Sequence, residues 1–305
     1  MTNIIKVKSI SKYATPIRSM MRAGADNEQE SEYKSWSAEF DQNGLPTEEI
    51  KYFDNGQIEE IHHYEYNEKG NTLKHKITVP GEGIEESFIT ERDANSNPIK
   101  ITKYYGAEAG EVTIYAYSPN AKPIQIDQYD ADGEHEQTEW LTYDDHGKAI
   151  KKHVKNYQDE TETFYVFSYN DKSLLTLQEE QDAEEKLVGK LSFDYDDEGK
   201  EINSKQTNED NKKIAEVVTI YNELGKMIRR ESHSFYVRIS EYEYDEKGNL
   251  LEEALSDENG FVITRSRYVY DEKDHVIEET LYETDLTRAG RDTHIIHRYE
   301  YAFRD

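Results

Sequence analysis

An aromatic-x-aromatic pair, an acidic turn, a glycine and an aliphatic residue recur about every 26 residues along this chain. Tyr242-Glu243-Tyr244-Asp245-Glu246-Lys247-Gly248-Asn249-Leu250 is the clearest copy. With the second aromatic as anchor, the series reads Phe40, Tyr66, Arg92, Tyr117, Tyr143, Tyr169, Tyr195, Tyr221, Tyr244, Tyr270 and Tyr301. The steps are 26, 26, 25, 26, 26, 26, 26, 23, 26 and 31 residues. A fixed period of this kind marks a repeat architecture, in which each unit buries its apolar face only against its neighbours.

Within one copy, Val262, Thr264, Ser266, Tyr268 and Tyr270 alternate onto one face of a strand. Asp271-Glu272-Lys273-Asp274 is the turn, and Val276 to Tyr282 returns. Asp or Asn first and Gly fourth suits a type I turn closed by a left-handed residue. Ser96, Ala121 and Ser173 occupy that fourth position without being glycine. They should relax to another loop geometry or cost about 1 kcal/mol each. Seven residues past the anchor stand Leu73, Ile99, Ile124, Ile150, Ile202, Ile228, Leu251 and Ile277, read as sealing the tyrosine face. A second, looser turn, such as Asp130-Ala131-Asp132-Gly133 or Asp257-Glu258-Asn259-Gly260, divides each unit into two strands.

The expected fold is therefore all-β: an elongated, curved array of about ten antiparallel β-hairpin repeats, a solenoid-like sheet that twists as it grows. Residues 37–305 form the repeat domain, and residues 1–36 a basic arm that acts as a capping segment. Ile4 to Lys8 could add a strand to the first sheet edge. Thr15-Pro16, the apolar Ile17, Met20 and Met21, and Gly24 predict a short helix over 16–23. Such a cover protects an edge strand from pairing with another chain.

Composition narrows the function. Only 35% of residues are hydrophobic and 33% are charged, so a thick core is not expected, while 24 Tyr and 9 Phe argue against disorder. The net charge is −28, with +5 on residues 1–25 and therefore −33 on the rest. That acidic body repels duplex nucleic acid and anionic membranes and suits a basic partner. No cysteine is present, which excludes disulfides and thiolate metal sites. No segment reads as a membrane span or a secretory signal, so cytoplasmic residence is the default expectation, with non-classical export the alternative.

The motif Y-x-Y-[DN]-x-x-G-x-[LI], carried by Tyr64–Leu73, Tyr115–Ile124, Tyr242–Leu251 and Tyr268–Ile277, resembles the YD repeat of the rearrangement-hotspot (RHS) and teneurin proteins. The resemblance covers about residues 37–303. It implies a long spiralling β-sheet with tyrosine-rich faces, which in that family encloses a toxin domain or presents an adhesive surface. The period here is longer than the usual YD unit, and no C-terminal toxin domain is recognisable.

Candidate chemistry is sparse. Gln128-x-Asp130-x-Asp132-Gly133 with Glu139 has the spacing of a calcium loop, but the first ligand is Gln and both flanks read as strands. His294 and His297, and likewise His62 and His63, point to opposite faces of a strand and cannot chelate together. Adjacent carboxylates such as Glu252-Glu253 and Glu278-Glu279 also face apart. The repeated tyrosines, including Tyr66, Tyr117, Tyr143, Tyr169, Tyr195, Tyr221, Tyr244 and Tyr270, are expected to be largely buried between hairpins. No catalytic, cofactor-binding or metal residue is therefore assigned, and no enzyme or cofactor is expected. The expectation is a non-enzymatic scaffold binding a basic protein, in a bacterial toxin-immunity or accessory context. The alternative is an exported adhesion or carbohydrate-binding repeat protein.

Overall fold

The computed structural model describes residues 7–18, 28–29, 31–284 and 292–304. The strands begin with β1 (Val7–Arg18) and the two-residue β2 (Glu28–Gln29). Next come β3 (Tyr33–Phe40), β4 (Pro46–Tyr52), β5 (Ile58–Tyr66), β6 (Thr72–Val79), β7 (Ile84–Arg92) and β8 (Pro98–Tyr105). The middle of the chain supplies β9 (Glu108–Tyr117), β10 (Pro123–Tyr129), β11 (His135–Tyr143), β12 (Ala149–Asn156), β13 (Glu162–Tyr169) and β14 (Leu175–Gln181). Then follow β15 (Leu187–Tyr195), β16 (Glu201–Asn208), β17 (Lys213–Tyr221), β18 (Met227–His233) and β19 (Val237–Tyr244). The last are β20 (Leu250–Asp257), β21 (Val262–Tyr270), β22 (Val276–Glu283) and β23 (Thr293–Phe303).

Contacts divide the chain into two units. Unit 1 comprises Met1–Tyr64, Ile77–Ile84 and Thr219–Asp305, and unit 2 comprises Glu65–Lys76 and Glu85–Val218. In unit 2 each strand from β7 to β17 pairs antiparallel with the next. In unit 1, β18 to β23 do the same, as do β3, β4 and β5.

The decisive element is β1. One side pairs with β3, from Ser9↔Glu39 to Ala14↔Tyr33, and the other with β23, from Val7↔Phe303 to Pro16↔Ile295. The first and last hairpins are thereby joined, and the sheet closes its ends onto each other. This corrects the expected open, elongated, curved solenoid of about ten hairpins: the first and last hairpins are paired through β1 and do not end in two free edges. Closure satisfies the backbone groups that two free edges would leave unpaired. It also corrects the capping segment. Pro16, Ile17 and Arg18 are extended within β1 rather than helical, and residues 19–23 of the expected helix lie outside the described residues. Pro16 is tolerated because the β3 pairing ends at Ala14, so its missing N–H leaves no gap on that side.

The turns follow from their first residue. Asp245 N donates to Asn249 O at 2.9 Å and Gly248 N to Asp245 O at 3.0 Å. The Asp245 carboxylate accepts from the N–H groups of Lys247 and Asn249 at 2.9 and 2.8 Å, which preorganises the loop. Ser96, Ala121, Ser173 and Asp274 do not relax: their φ values are 74°, 57°, 70° and 65°. The hairpin geometry dictates the left-handed residue even where the side chain opposes it. The second turn is not looser, since Asp130, Asp182, Asn208 and Asp257 make the same pair of backbone bonds.

The anchor pairings of Phe40, Arg92, Tyr117, Tyr143, Tyr169, Tyr195, Tyr244 and Tyr270 each contain a β-bulge. Tyr143 faces Ala149 and Thr142 faces Lys151, which leaves Ile150 as the extra residue. Ile202 and Ile277 are skipped in the same way. These aliphatics remain more than a third exposed, contrary to the expectation that they seal the tyrosine face. The apolar core is thin, with Val7, Ala14, Ala38 and Ile263 its buried hydrophobic members among the described residues. Three of the four lie on β1 and β3, so the buried apolar residues gather at the closure.

Candidate functional site

The anchor side chains form a hydrogen-bonded ladder. The phenols of Tyr117, Tyr143, Tyr169, Tyr195, Tyr270 and Tyr301 donate to the carbonyl of the residue that faces the preceding anchor across its hairpin. Tyr143 pairs with Ala149, and Tyr169 Oη donates to Ala149 O at 2.7 Å. Tyr169 pairs with Leu175, and Tyr195 Oη donates to Leu175 O at 2.6 Å. The same reach joins Tyr117 to Pro98 O, Tyr143 to Pro123 O and Tyr270 to Leu250 O. Burial is the first cause raising the pKa of Tyr143, Tyr169 and Tyr195, so the donors stay protonated. Arg92 preserves the rung without a phenol. Its Nε and Nη2 donate to Thr72 O at 3.1 and 3.0 Å, and Nη1 donates to Ser96 O at 2.8 Å.

These rings are half-buried, not largely buried as expected. A ring lying along a single sheet is covered by that sheet and by its neighbours on one side only. The hydroxyls are nonetheless committed, so the row acts as a brace. Tyr195→Phe is expected to cost about 1 kcal/mol, the net value of one hydrogen bond. Tyr195→Ala should cost about 3 kcal/mol, at the lower limit for loss of a buried aromatic. Urea denaturation of both variants checks the order.

A second set of tyrosines, two residues before the anchor, binds carboxylates nine residues past the preceding anchor. Tyr64 Oη donates to Glu49, Tyr268 Oη to Glu253 and Tyr299 Oη to Glu279, each at 2.7 Å. The third pair is the most elaborate and sits at the closure. Lys12 Nζ on β1 lies 3.0 Å from Glu279 Oε2 on β22 and 5.3 Å from the Tyr299 ring centroid on β23. His297, 8% exposed, pairs in register with both Ala14 and Glu279. Burial pushes the Glu279 carboxyl up, but the Tyr299 hydrogen bond and the Lys12 charge outweigh it and hold the pKa below 4.5. Burial, with the Glu279 hydrogen bond, raises the Tyr299 phenol above its ordinary value. Burial first, and then Lys12, lowers His297 below 6.5.

On the other face of the closure, Arg298 donates through Nε and Nη2 to Glu32 at 2.9 and 2.8 Å and through Nη1 to Glu300 at 2.5 Å. Its guanidinium lies 4.5 Å from the Tyr13 ring centroid. Chemically, the inner cluster contains a neutral imidazole, an ionised carboxylate and a protonated phenol that is held back from ionising. Its polar contacts run between the strands of the closure, which makes it a clamp.

The clamp is acid-sensitive. A depressed histidine pKa contributes stability that is complete above its unfolded value of 6.5 and declines as pH falls through it. Glu279 adds a loss below 4.5, where its carboxylate protonates. The thermal midpoint should therefore fall as pH passes below about 6.5, and His297→Gln should flatten the first part of that decline.

In unit 2 the face opposite the anchors carries two aromatic–histidine stacks. His153 lies between Trp140 and Phe164, at centroid distances of 4.8 and 4.2 Å, and bonds Glu162 at 3.0 Å. His135 lies between Tyr129 and Tyr157 at 4.6 and 4.2 Å, with Thr138 Oγ1 at 2.9 Å. Each histidine is covered on both ring faces by its aromatic neighbours.

The sequence candidates for metal binding separate. Asp130 Oδ1 accepts from Asp132 N and Glu134 N at 3.0 and 2.8 Å, so it braces a turn, while Glu139 on the neighbouring strand faces Lys152 at 3.6 Å. His62 lies 3.3 Å from Glu60, and His63 lies 3.3 Å from Glu48. His294 lines a cavity with Arg265 and Tyr282, whereas His297 is in the clamp. Among the described residues, no group of three or more His, Cys, Asp or Glu could hold a metal ion. Lys12 and Glu279 were missed because one read as part of a basic arm and the other as half of an adjacent carboxylate pair. The nine-residue offset from anchor to glutamate, seen also at Glu49 and Glu253, was the signal available.

No family model and no curated protein matches the chain. Among solved structures it is similar to a chain of the Photorhabdus luminescens Tc holotoxin pore, at 11% identity and TM-score 0.35, over 96% of this chain and 22% of that one. It is similar to a chain of TcdB2-TccC3 at 10% identity and TM-score 0.34, over 95% of this chain and 24% of that one. A porin-like protein from Bacteroides uniformis gives 11% identity and TM-score 0.33 over 99% of both chains. This chain thus spans about a quarter or less of the Tc toxin chains that it matches. These distant likenesses assign neither a family nor an activity.

Proposed function

We propose that this is a non-enzymatic binding protein that engages a basic protein through the hairpin turns at one end of unit 2. The observation that carries the reading is a row of four turns, 130–134, 157–161, 182–186 and 208–212. Asp132, Glu134, Asp159, Glu160, Glu184, Glu185, Glu209 and Asp210 are exposed there, and Lys186 and Lys212 are the cations of these turns. The turns at the other end are more nearly balanced, and Lys172 Nζ cross-links to Asp197 O at 2.7 Å. Local clusters matter because charges are screened beyond about 8 Å at physiological ionic strength. Charged residues also stand mid-strand on both faces of unit 2, Glu139 and Lys152 on one and Glu179 and Lys190 on the other. That disfavours a lipid-facing band.

The test is affinity purification from the native host, followed by association kinetics of the partner against sodium chloride. A steep fall of the association rate with salt, abolished by Glu184→Lys with Glu185→Lys, supports the reading. A salt-independent rate, or tight binding to duplex DNA at physiological salt, contradicts it.

A further inference from the structure

The opposite electrostatic situation occurs in unit 1. A cavity of about 260 Å³ is lined by Val262, Arg265, Arg267, Thr280, Tyr282 and His294, on strands β21, β22 and β23. In a chain of net charge −28, this lining contains two guanidiniums, an imidazole, a phenol and a hydroxyl, and no carboxylate.

Charge balance separates these arginines from Arg229 and Arg298 of the same unit. Arg229 engages two carboxylates, Glu231 and Glu241, and Arg298 engages Glu32 and Glu300. Arg265 and Arg267 instead share one, Glu252, with Nε atoms 3.1 and 2.5 Å from its two oxygens. One positive charge is left over. The Arg265 Nε–H is buried and misaligned with Glu252, so it has no hydrogen-bond partner among the described residues. Tyr282 already donates to Asp292 at 3.0 Å, a carboxylate outside the lining.

We infer that this cavity binds a small oxyanion, a phosphate group or a carboxylate. Guanidinium forks present paired donors that match two oxygens of either group. Glu252 holds the two forks from one side and leaves their remaining N–H groups for the ligand. The volume suits a ligand of a few heavy atoms rather than a cofactor. This site is independent of the acidic turns of unit 2 and goes beyond the binding role proposed for them.

The test is isothermal titration calorimetry at low ionic strength, with inorganic phosphate in one arm and succinate in the other. Saturable binding of at least one probe is expected, and the preferred probe identifies the group. Arg265→Gln with Arg267→Gln should weaken it at least about tenfold, a change of about 1.4 kcal/mol. Arg229→Gln should leave it unchanged. Glu252→Gln should act in the opposite direction and tighten binding, which keeps the inference testable if the double arginine variant unfolds. Absence of saturable binding in both arms, or equal affinity in wild type and Glu252→Gln, would overturn it.

Discussion

Removal of residues 1–18 is expected to drive the protein into self-association. The deleted segment contains β1, which pairs with β3 on one side and β23 on the other. Its loss leaves two long strands with unpaired backbone groups and uncovers buried residues of the closure such as Ala38 and His297. Unpaired edges of that length recruit strands from other chains. Size-exclusion chromatography with light scattering should show concentration-dependent oligomers for the truncated chain at a protein concentration where the full chain keeps one mass. A truncated chain with unchanged mass and melting behaviour would show that β1 is dispensable.

The second large effect should come from the clamp. Glu279→Leu is expected to destabilise the fold by about 3 kcal/mol, because it leaves the Lys12 ammonium in a partly buried site without its counterion. Lys12→Met combined with Glu279→Leu should recover most of that loss, since an apolar pair of similar volume substitutes for an ion pair at little net cost. Denaturant unfolding of both single variants and the double variant measures this. A double variant whose loss equals the sum of the two single losses would mean that the residues do not interact.

The repeat was legible because it is local. Anchor tyrosines, Asp or Asn turn starters and the left-handed fourth residue each depend on neighbours within a few positions, so the hairpins could be read off one at a time. The closure was not legible, because β1 meets β23 across nearly the whole chain and no periodic signal spans that separation. Thr15-Pro16 carries a genuine helix-start pattern, yet pairing on the β23 side outweighs it, and Pro16 sits where the β3 ladder has already stopped. At the sites, the period put the tyrosines in phase but could not reveal the carbonyl acceptors. Nor does the period say that Arg92, an anchor without a phenol, places its guanidinium on the Thr72 carbonyl. Arg265 and Arg267 drew no notice in the sequence, since their shared single carboxylate is a matter of cross-strand register.

The closure itself can be tested with introduced cysteines, because the natural chain contains none. Ser11 on β1 faces Ser37 on β3 and Glu300 on β23. Directly opposed antiparallel residues have Cα atoms about 4.5–5.5 Å apart, within the range a disulfide spans. Two double variants, Ser11→Cys with Ser37→Cys and Ser11→Cys with Glu300→Cys, should each form an intramolecular disulfide in dilute solution, detected by intact mass and non-reducing electrophoresis. Oxidation of the first pair alone, with the second remaining two free thiols, would mean that the chain ends are apart and the sheet is open.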